Sequence, residues 1–287
     1  MDKIPIVDIK KASDDTAAGT GFTICDLKSL LLQKERVRGL HRHNFFFILA
    51  VKQGSGLHEI DFEQYEIFNN TIFCLRPGQV HHLKLNSEAE GFLMRFNTNF
   101  YQPFDKVILQ SFRKATHKNL CPLENERFER LFSILSNILR EYSKKEGGYL
   151  NIIKASLDIF FIELVRQSKR PADEMDNITS YKQERLEEFL DLLQTNIAQH
   201  KQVSHYTQLM NLSAYQLNDI TKTTIGKTAS EVINDQIILE AKRSLLALDL
   251  QVKVISEQLG YEDVSYFIRF FKKHTGYSPE AYRKNLR

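Results

Sequence analysis

Residues 252–283 read VKVISEQLGYEDVSYFIRFFKKHTGYSPEAYR, and the rest of the chain is best read outward from them. Val254, Ile255 and Leu259 give a short apolar helix, Gly260 supplies backbone that tolerates a tight turn, and Asp263 stands where a side chain caps a second helix. This is a helix-turn-helix layout. In the second helix Phe267, Phe270, Phe271 and His274 fall at i, i+3, i+4 and i+7, which assigns them to the core side. The complementary side carries Val264, Ser265, Ile268, Arg269 and Lys272. The second helix of such a unit enters the major groove, one face in the core and the other offered to DNA. Arg269 suits a bidentate pair to guanine, Ser265 a base or a phosphate, and Val264 or Ile268 a thymine methyl. Lys272 and Lys273 suit phosphates, which fix register without reading sequence.

The unit occurs twice. YTQLMNLSAYQLNDITKTTIG, residues 206–226, resembles ISEQLGYEDVSYFIRFFKKHTG, residues 255–276, with Leu217, Thr221 and Gly226 fifty positions before Phe267, Phe271 and Gly276. Ser213 and Gln216 form an S-x-x-Q capping box at the start of the earlier second helix. Its exposed set is expected to be Tyr215, Asn218, Asp219 and Lys222, with Asn218 suited to adenine and Asp219 to the amino group of cytosine. Between the copies a long helix runs from Ser230 to about Leu248, started by the box Thr228-Ala229-Ser230-Glu231. A rigid spacer of this kind sets two recognition helices about one DNA turn apart, roughly 34 Å. From residue 265 onward Arg269, Lys272, Lys273, Arg283, Lys284 and Arg287 face only Glu280, a local charge of +5 within a chain whose net charge is +3.

The run from Val252 to Arg283 closely resembles the signature of the AraC/XylS-type transcription regulators. The resemblance rests on Gly260-Tyr261, Ser265-Tyr266-Phe267, Phe271-Lys272-Lys273, Gly276, Ser278-Pro279 and Tyr282-Arg283, reaches back through EAKRSLL (Glu240 to Leu246), and covers roughly residues 180–287. It implies two DNA-binding units joined by a linker helix, with Tyr215, Asn218, Asp219, Val264, Ser265 and Arg269 at base-facing positions. Three residues depart from the pattern: Asp219 lies where a basic residue is frequent, Thr221 replaces a core Phe, and Ile237 lies where many members carry Arg.

Earlier in the chain the texture differs. From Phe22 to Phe100, short apolar or alternating runs are broken by Gly54-Ser55-Gly56, Asn69-Asn70 and Pro77-Gly78, which reads as an all-β antiparallel sandwich or barrel over residues 20–100. Two amphipathic helices follow, one from Glu124 to Tyr142 and one from about Tyr149 to Arg166. They either complete the β core or make a dimer seam. Ser168 to Thr179 (SKRPADEMDNIT) is polar and aperiodic, the signature of a linker.

The stretch Gly39 to Phe96 is similar to the cupin-like effector domains that precede the DNA-binding half in many members, mainly through His41-x-His43 and Pro77-Gly78-x-x-His81. Metal-binding cupins add a Glu shortly after the HxH pair. Here Asn44, Phe45, Phe46, Phe47 and Ile48 follow, so no metal and no cofactor are expected. Strand alternation places His41, His43, Phe45 and Phe47 on one face, polar anchors beside apolar walls, as in small-molecule sites. His81 or His82, Arg76 and Arg95 are the candidates for binding a carboxylate or hydroxyls.

Composition agrees with a folded, water-soluble chain of two ordinary domains: 287 residues, 42% hydrophobic and 26% charged. Cys25, Cys74 and Cys121 have no CxxC spacing and read as reduced core thiols. The N-terminus, Met1-Asp2-Lys3-Ile4-Pro5, lacks a signal pattern, and the apolar run Phe45 to Val51 is too short to span a bilayer, which gives a cytoplasmic address.

The expected fold is therefore a cupin-like β domain (1–120), a helical dimerisation region (121–170), a linker (171–180) and an all-α double helix-turn-helix domain (181–287). The expected function is a non-enzymatic, sequence-specific transcription regulator, provisionally an activator. Its partners are promoter DNA, a small-molecule effector, a second copy of the chain and, as a further candidate, RNA polymerase, with no membrane. The alternatives are a cupin-type metalloenzyme with a helical accessory domain, and a constitutive regulator whose β half only dimerises.

Overall fold

The computed structural model describes residues 6–7, 9, 20–32, 39–168, 177–247 and 250–285, and these divide near residue 174 into two compact units. The N-terminal unit is built from β1 (Ile6–Val7), β2 (Phe22–Asp26), α1 (Leu27–Leu32), β3 (His41–His43), β4 (Phe46–Gln53), β5 (Gly56–Ile60), β6 (Glu63–Ile67), β7 (Thr71–Leu75), β8 (Val80–Leu85) and β9 (Glu90–Phe96). After them come α2 (Lys106–His117), β10 (Leu120–Pro122), α3 (Asn125–Lys144) and α4 (Tyr149–Ser168). The strands make two five-stranded sheets, β1-β3-β8-β5-β6 and β10-β7-β4-β9-β2.

Strand β4 is buried along most of its length, and its period of two explains why. Phe47, Leu49 and Val51 point toward the other sheet and pack with Ile60, Ile67, Phe73, Leu75 and Leu93. Phe46, Ile48 and Ala50 point the other way, onto a helical layer that contributes Phe128, Leu131, Leu135, Ile138, Ile153, Leu157, Phe160 and Phe161. The central sheet is thus covered on both faces, so its strands read as continuous apolar runs where a half-exposed strand alternates. The apolar stripes of α3 and α4 complete the core of the β unit.

Several local expectations need correcting. A helical turn, α1, lies inside the segment read as all-β, its first turn held by Asp26, whose carboxylate accepts from the Lys28 amide. One strand pair, β1 with β3, is parallel. Helix α2 was not foreseen; its start is marked by Asp105, which accepts from the amides of Val107 and Ile108. Of the stretch read as linker, residues 169–176 lie outside the described residues, and helix begins at Asn177, short of the expected 180. Cys25, Cys74 and Cys121 are all free thiols, and burial raises the Cys121 thiol to about 11.

The C-terminal unit is all helix: α5 (Asn177–Asn196), α6 (Val203–Leu209), α7 (Ala214–Ile225), α8 (Ala229–Ala247), α9 (Val252–Gln258), α10 (Val264–Thr275) and α11 (Pro279–Asn285). Its core is continuous, running from Leu186, Phe189 and Leu193 of α5 through Leu217 and Ile220 of α7 and Ile233, Ile237 and Ala241 of α8 to Phe267 and Phe271 of α10. Ile237 is therefore a core residue of the linker helix. The two copies superpose in kind: α6-α7 and α9-α10 are each a short helix, a turn and a longer helix, and α7 and α10 both end on a glycine with positive φ, Gly226 and Gly276. No helix among the described residues is long and apolar enough to cross a membrane.

Candidate nucleic-acid interface and effector site

Helix α10 is placed by three local devices. Asp263 accepts from the Ser265 amide, Phe267 and Phe271 are fully buried, and Gly276 closes the last turn onto the Lys272 carbonyl. Ser265, Arg269, Lys272 and Lys273 are then exposed together, and Val264 is half-exposed beside them. Among the described residues Arg269 reaches only the Asp263 carboxylate, 3.9 Å away, with 69% of its side chain open. Ile268 is partly withdrawn, packing against the core. His274, assigned from periodicity to the core side, is exposed and stacks at 4.6 Å on Phe270, because α10 outruns the core at its C-terminal end.

The first unit differs from expectation at two residues. Tyr215 (82% exposed) and Lys222 are exposed on α7. Asn218 is half-buried: its amide donates to the Ala214 carbonyl, and its Oδ1 accepts from the Ala229 amide, at 3.0 Å each. It therefore satisfies one of the orphan donors at the start of α8. Asp219 is engaged by Lys182 of α5 at 2.8 Å, and this hydrogen-bonded cation holds its carboxyl below the usual carboxylate range. The same lysine donates to Thr223. Both side chains expected to read bases thus tie α7 to its neighbours, and the acidic residue at a position usually basic has its counter-charge inside the unit. Thr221 occupies the core position equivalent to Phe271, its hydroxyl donating to the Asn218 carbonyl.

The basic end is also divided. Arg283 donates to the carbonyls of Leu245 and Leu250, fastening α11 to the end of the linker helix, while Lys284 is exposed and Arg287 lies outside the described residues.

In the β unit, His43 and His81 come together as expected, with Phe45 and Phe47 against them. The His43 ring stacks on Phe45 at 4.3 Å, and His81 meets Phe47 at 5.0 Å and His41 at 4.2 Å. His82 points to the other face of β8 and is half-exposed, so His81 is the inward residue. Arg95 is buried on the strand position paired with Phe47. Arg76 stands apart, its guanidinium 2.9 Å from His117 Nδ1 of α2. The residue missed from sequence is His58, fully buried in β5, with its ring 4.8 Å from Phe73 and its Nε2 2.9 Å from His81 Nδ1. Its alternation with Ile60, which points inward, was the available signal. Burial pulls His43 and His58 down to about 3 and lowers His81 as well, so the three rings are neutral at pH 7. Among the described residues no group of three or more His, Cys, Asp or Glu side chains is arranged to hold a metal ion.

Comparison with known proteins fits both halves. A family model described as an AraC-like ligand binding domain matches residues 33–151, and one described as a helix-turn-helix domain matches residues 206–285. The HTH-type transcriptional regulator YfiF of Bacillus subtilis is 22% identical over 248 residues, covering 85% of this chain and 78% of its own. The HTH-type transcriptional activator RhaR of Yersinia pseudotuberculosis is 23% identical over 257 residues, covering 86% and 84%. Among solved structures, ToxT from Vibrio cholerae aligns over 92% of this chain and 98% of its own, at 15% identity and a TM-score of 0.42.

A ligand-binding β-rich half followed by paired helix-turn-helix units defines a transcription regulator with separate sensing and DNA-binding parts. The chain belongs to the AraC family of transcription regulators.

Proposed function

We propose that this regulator grips promoter DNA unequally with its two units. The observation that carries the reading is α10, whose buried Phe267 and Phe271 force Ser265, Arg269, Lys272 and Lys273 outward together. In this reading Arg269, Ser265 and Val264 meet base edges, Ile268 lends only the exposed part of its side chain, and Lys272 and Lys273 hold phosphates. Unit one contributes Tyr215 and Lys222, with Asn218 and Asp219 as positioning residues. The β interior around His43, Phe45, Phe47 and His81, with His41 and Arg95 at its margin, is the effector site, and Arg76 braces α2.

The chain acts in the cytoplasm as a non-enzymatic regulator, with residues 1–120 sensing and 121–170 dimerising. Support for the dimer comes from α4, whose inner face is core but whose outer face leaves Ile152 and Ile159 about half exposed at a spacing of seven. Activation, with RNA polymerase as a partner, is the direction suggested by relatives named as activators.

Footprinting on DNA upstream of the neighbouring genes tests the reading. Two protected windows on one face of the duplex, with centres about one helical turn apart, are expected from two units on one rigid spacer. Absence of protection, or a single window, contradicts it.

A further inference from the structure

Two recognition helices read DNA as a pair only while their relative position holds. Helix α8 joins the first unit to the second, and the apolar core around it resists their separation, but hydrophobic contact is non-directional and resists sliding or rotation far less. Directional bonds between the units, made by residues outside α8, supply what the core lacks. Lys201, in the 197–202 loop between α5 and α6, makes them. Its ammonium donates to the Ala198 carbonyl of its own loop at 3.1 Å and to the Gly260 carbonyl at 2.9 Å, and it lies 4.8 Å from the centre of the Tyr261 ring. Gly260 and Tyr261 form the turn between α9 and α10, so one side chain of the first unit holds the turn from which the second recognition helix starts.

Both ends of this clasp are stiff. In the loop, the Gln199 and His200 amides donate to the Asn196 carbonyl of α5, and the Tyr206 hydroxyl of α6 donates to the His200 carbonyl at 2.6 Å. In the turn, the Gly260 amide donates to the Glu257 carbonyl and the Tyr261 amide to the Ser256 carbonyl, both on α9, and the Tyr261 ring packs on Phe267 of α10. Between them the Ala198 carbonyl oxygen approaches Gly260 so closely that a Cβ there would lie 1.8 Å from it. Desolvation lowers the Lys201 ammonium below the usual lysine range, and among the described residues no carboxylate pairs with it. Its charge is directed at two carbonyls and a ring, all of them at the junction of the two units. Lys182, by contrast, ties α5 to α7 within the first unit.

The scale of DNA turns this clasp into a measuring device. One base pair more or less between two contact windows rotates the second by about 34° and shifts it by about 3.4 Å. Hydrogen bonds of 2.9 Å and 3.1 Å do not survive a displacement of that size, so a clasped pair of units cannot follow the change and an unclasped pair can. We propose that Lys201 is a positioning residue that fixes the separation and rotation of the two DNA-reading units, and thereby selects operators by the spacing of their two contact windows. The proposal rests on the two-unit grip and names the side chain that sets its spacing.

Gel-shift titration of the full chain on the footprinted operator, and on versions with one base pair inserted or removed between the two protected windows, tests it. The wild type should lose at least about tenfold in affinity on either altered version, because one unit must leave its bases. Lys201→Met keeps the aliphatic stem and removes every donor. It should bind the operator more weakly and distinguish the three spacings by less than about threefold, while Lys201→Arg, which keeps donors and charge, restores most of the preference. Melting of the same preparations checks folding, and Lys201→Gln, too short to reach Gly260, repeats the test on a polar side chain. A folded Lys201→Met or Lys201→Gln chain that keeps the wild-type spacing preference overturns the proposal; if its affinity falls alike at all three spacings with a shallower salt dependence, Lys201 is a phosphate contact instead. A single protected window removes the two-unit reading and the proposal with it, whereas two windows bound equally well by the wild type at every spacing remove the proposal alone.

Discussion

Phe267→Ala is expected to destabilise the helical unit by about 3–5 kcal/mol, as deletion of a fully buried phenyl ring does when its surroundings collapse only in part. Phe267 has no exposed surface, its ring meets Tyr261 at 5.3 Å and Phe271 at 6.0 Å, and it belongs to a core shared with α5, α7 and α8. Because ordinary domains are stable by only about 5–15 kcal/mol, much of the margin goes with that one ring. Denaturant unfolding of the full chain followed by circular dichroism checks it. A loss below about 1 kcal/mol would mean that the two units do not share a core.

The second large effect falls on Gly260. Its φ is +71°, and a Cβ built there would lie 1.8 Å from the Ala198 carbonyl oxygen, backbone against backbone. A non-glycine residue in this conformation costs about 1–3 kcal/mol by itself, and the close approach must also be relieved by parting the turn from the 198–202 loop. That loop is fastened by Lys201, which donates to the Ala198 and Gly260 carbonyls and lies 4.8 Å from the centre of the Tyr261 ring. Gly260→Ala is therefore expected to loosen the second unit and to reduce operator affinity at least tenfold, while the β unit keeps its melting behaviour. Melting and gel-shift titration of the same preparation check both halves, and wild-type operator affinity would show that the turn can move without consequence.

These two effects were differently legible. The duplication, both glycine stops and the caps at Ser213, Thr228 and Asp263 could be read from the chain because each is a short-range pattern that local hydrogen bonds enforce. The packing that makes Gly260 indispensable could not, because Ala198 is remote in sequence. The same limit governs α7. Asn218 caps a helix that starts eleven residues later, and Asp219, exposed as expected, pairs with Lys182, two partnerships that a helical period does not show. Arg283 was counted in the basic end for the same reason, although two carbonyls take it. In the β unit the HxH pair stood out, whereas His58 sat in a strand whose inward face alternates only with Ile60. Helix α2 escaped because its apolar stripe is short, even though Asp105 marks its start.

The central claim is that α10 reads sequence, and gel-shift titration of Arg269→Ala on the operator and on its single-base variants tests it most directly. The account predicts binding weaker by about 1–3 kcal/mol and loss of preference at one base pair, since a guanidinium paired with guanine carries both. Unchanged affinity together with unchanged base preference would contradict it.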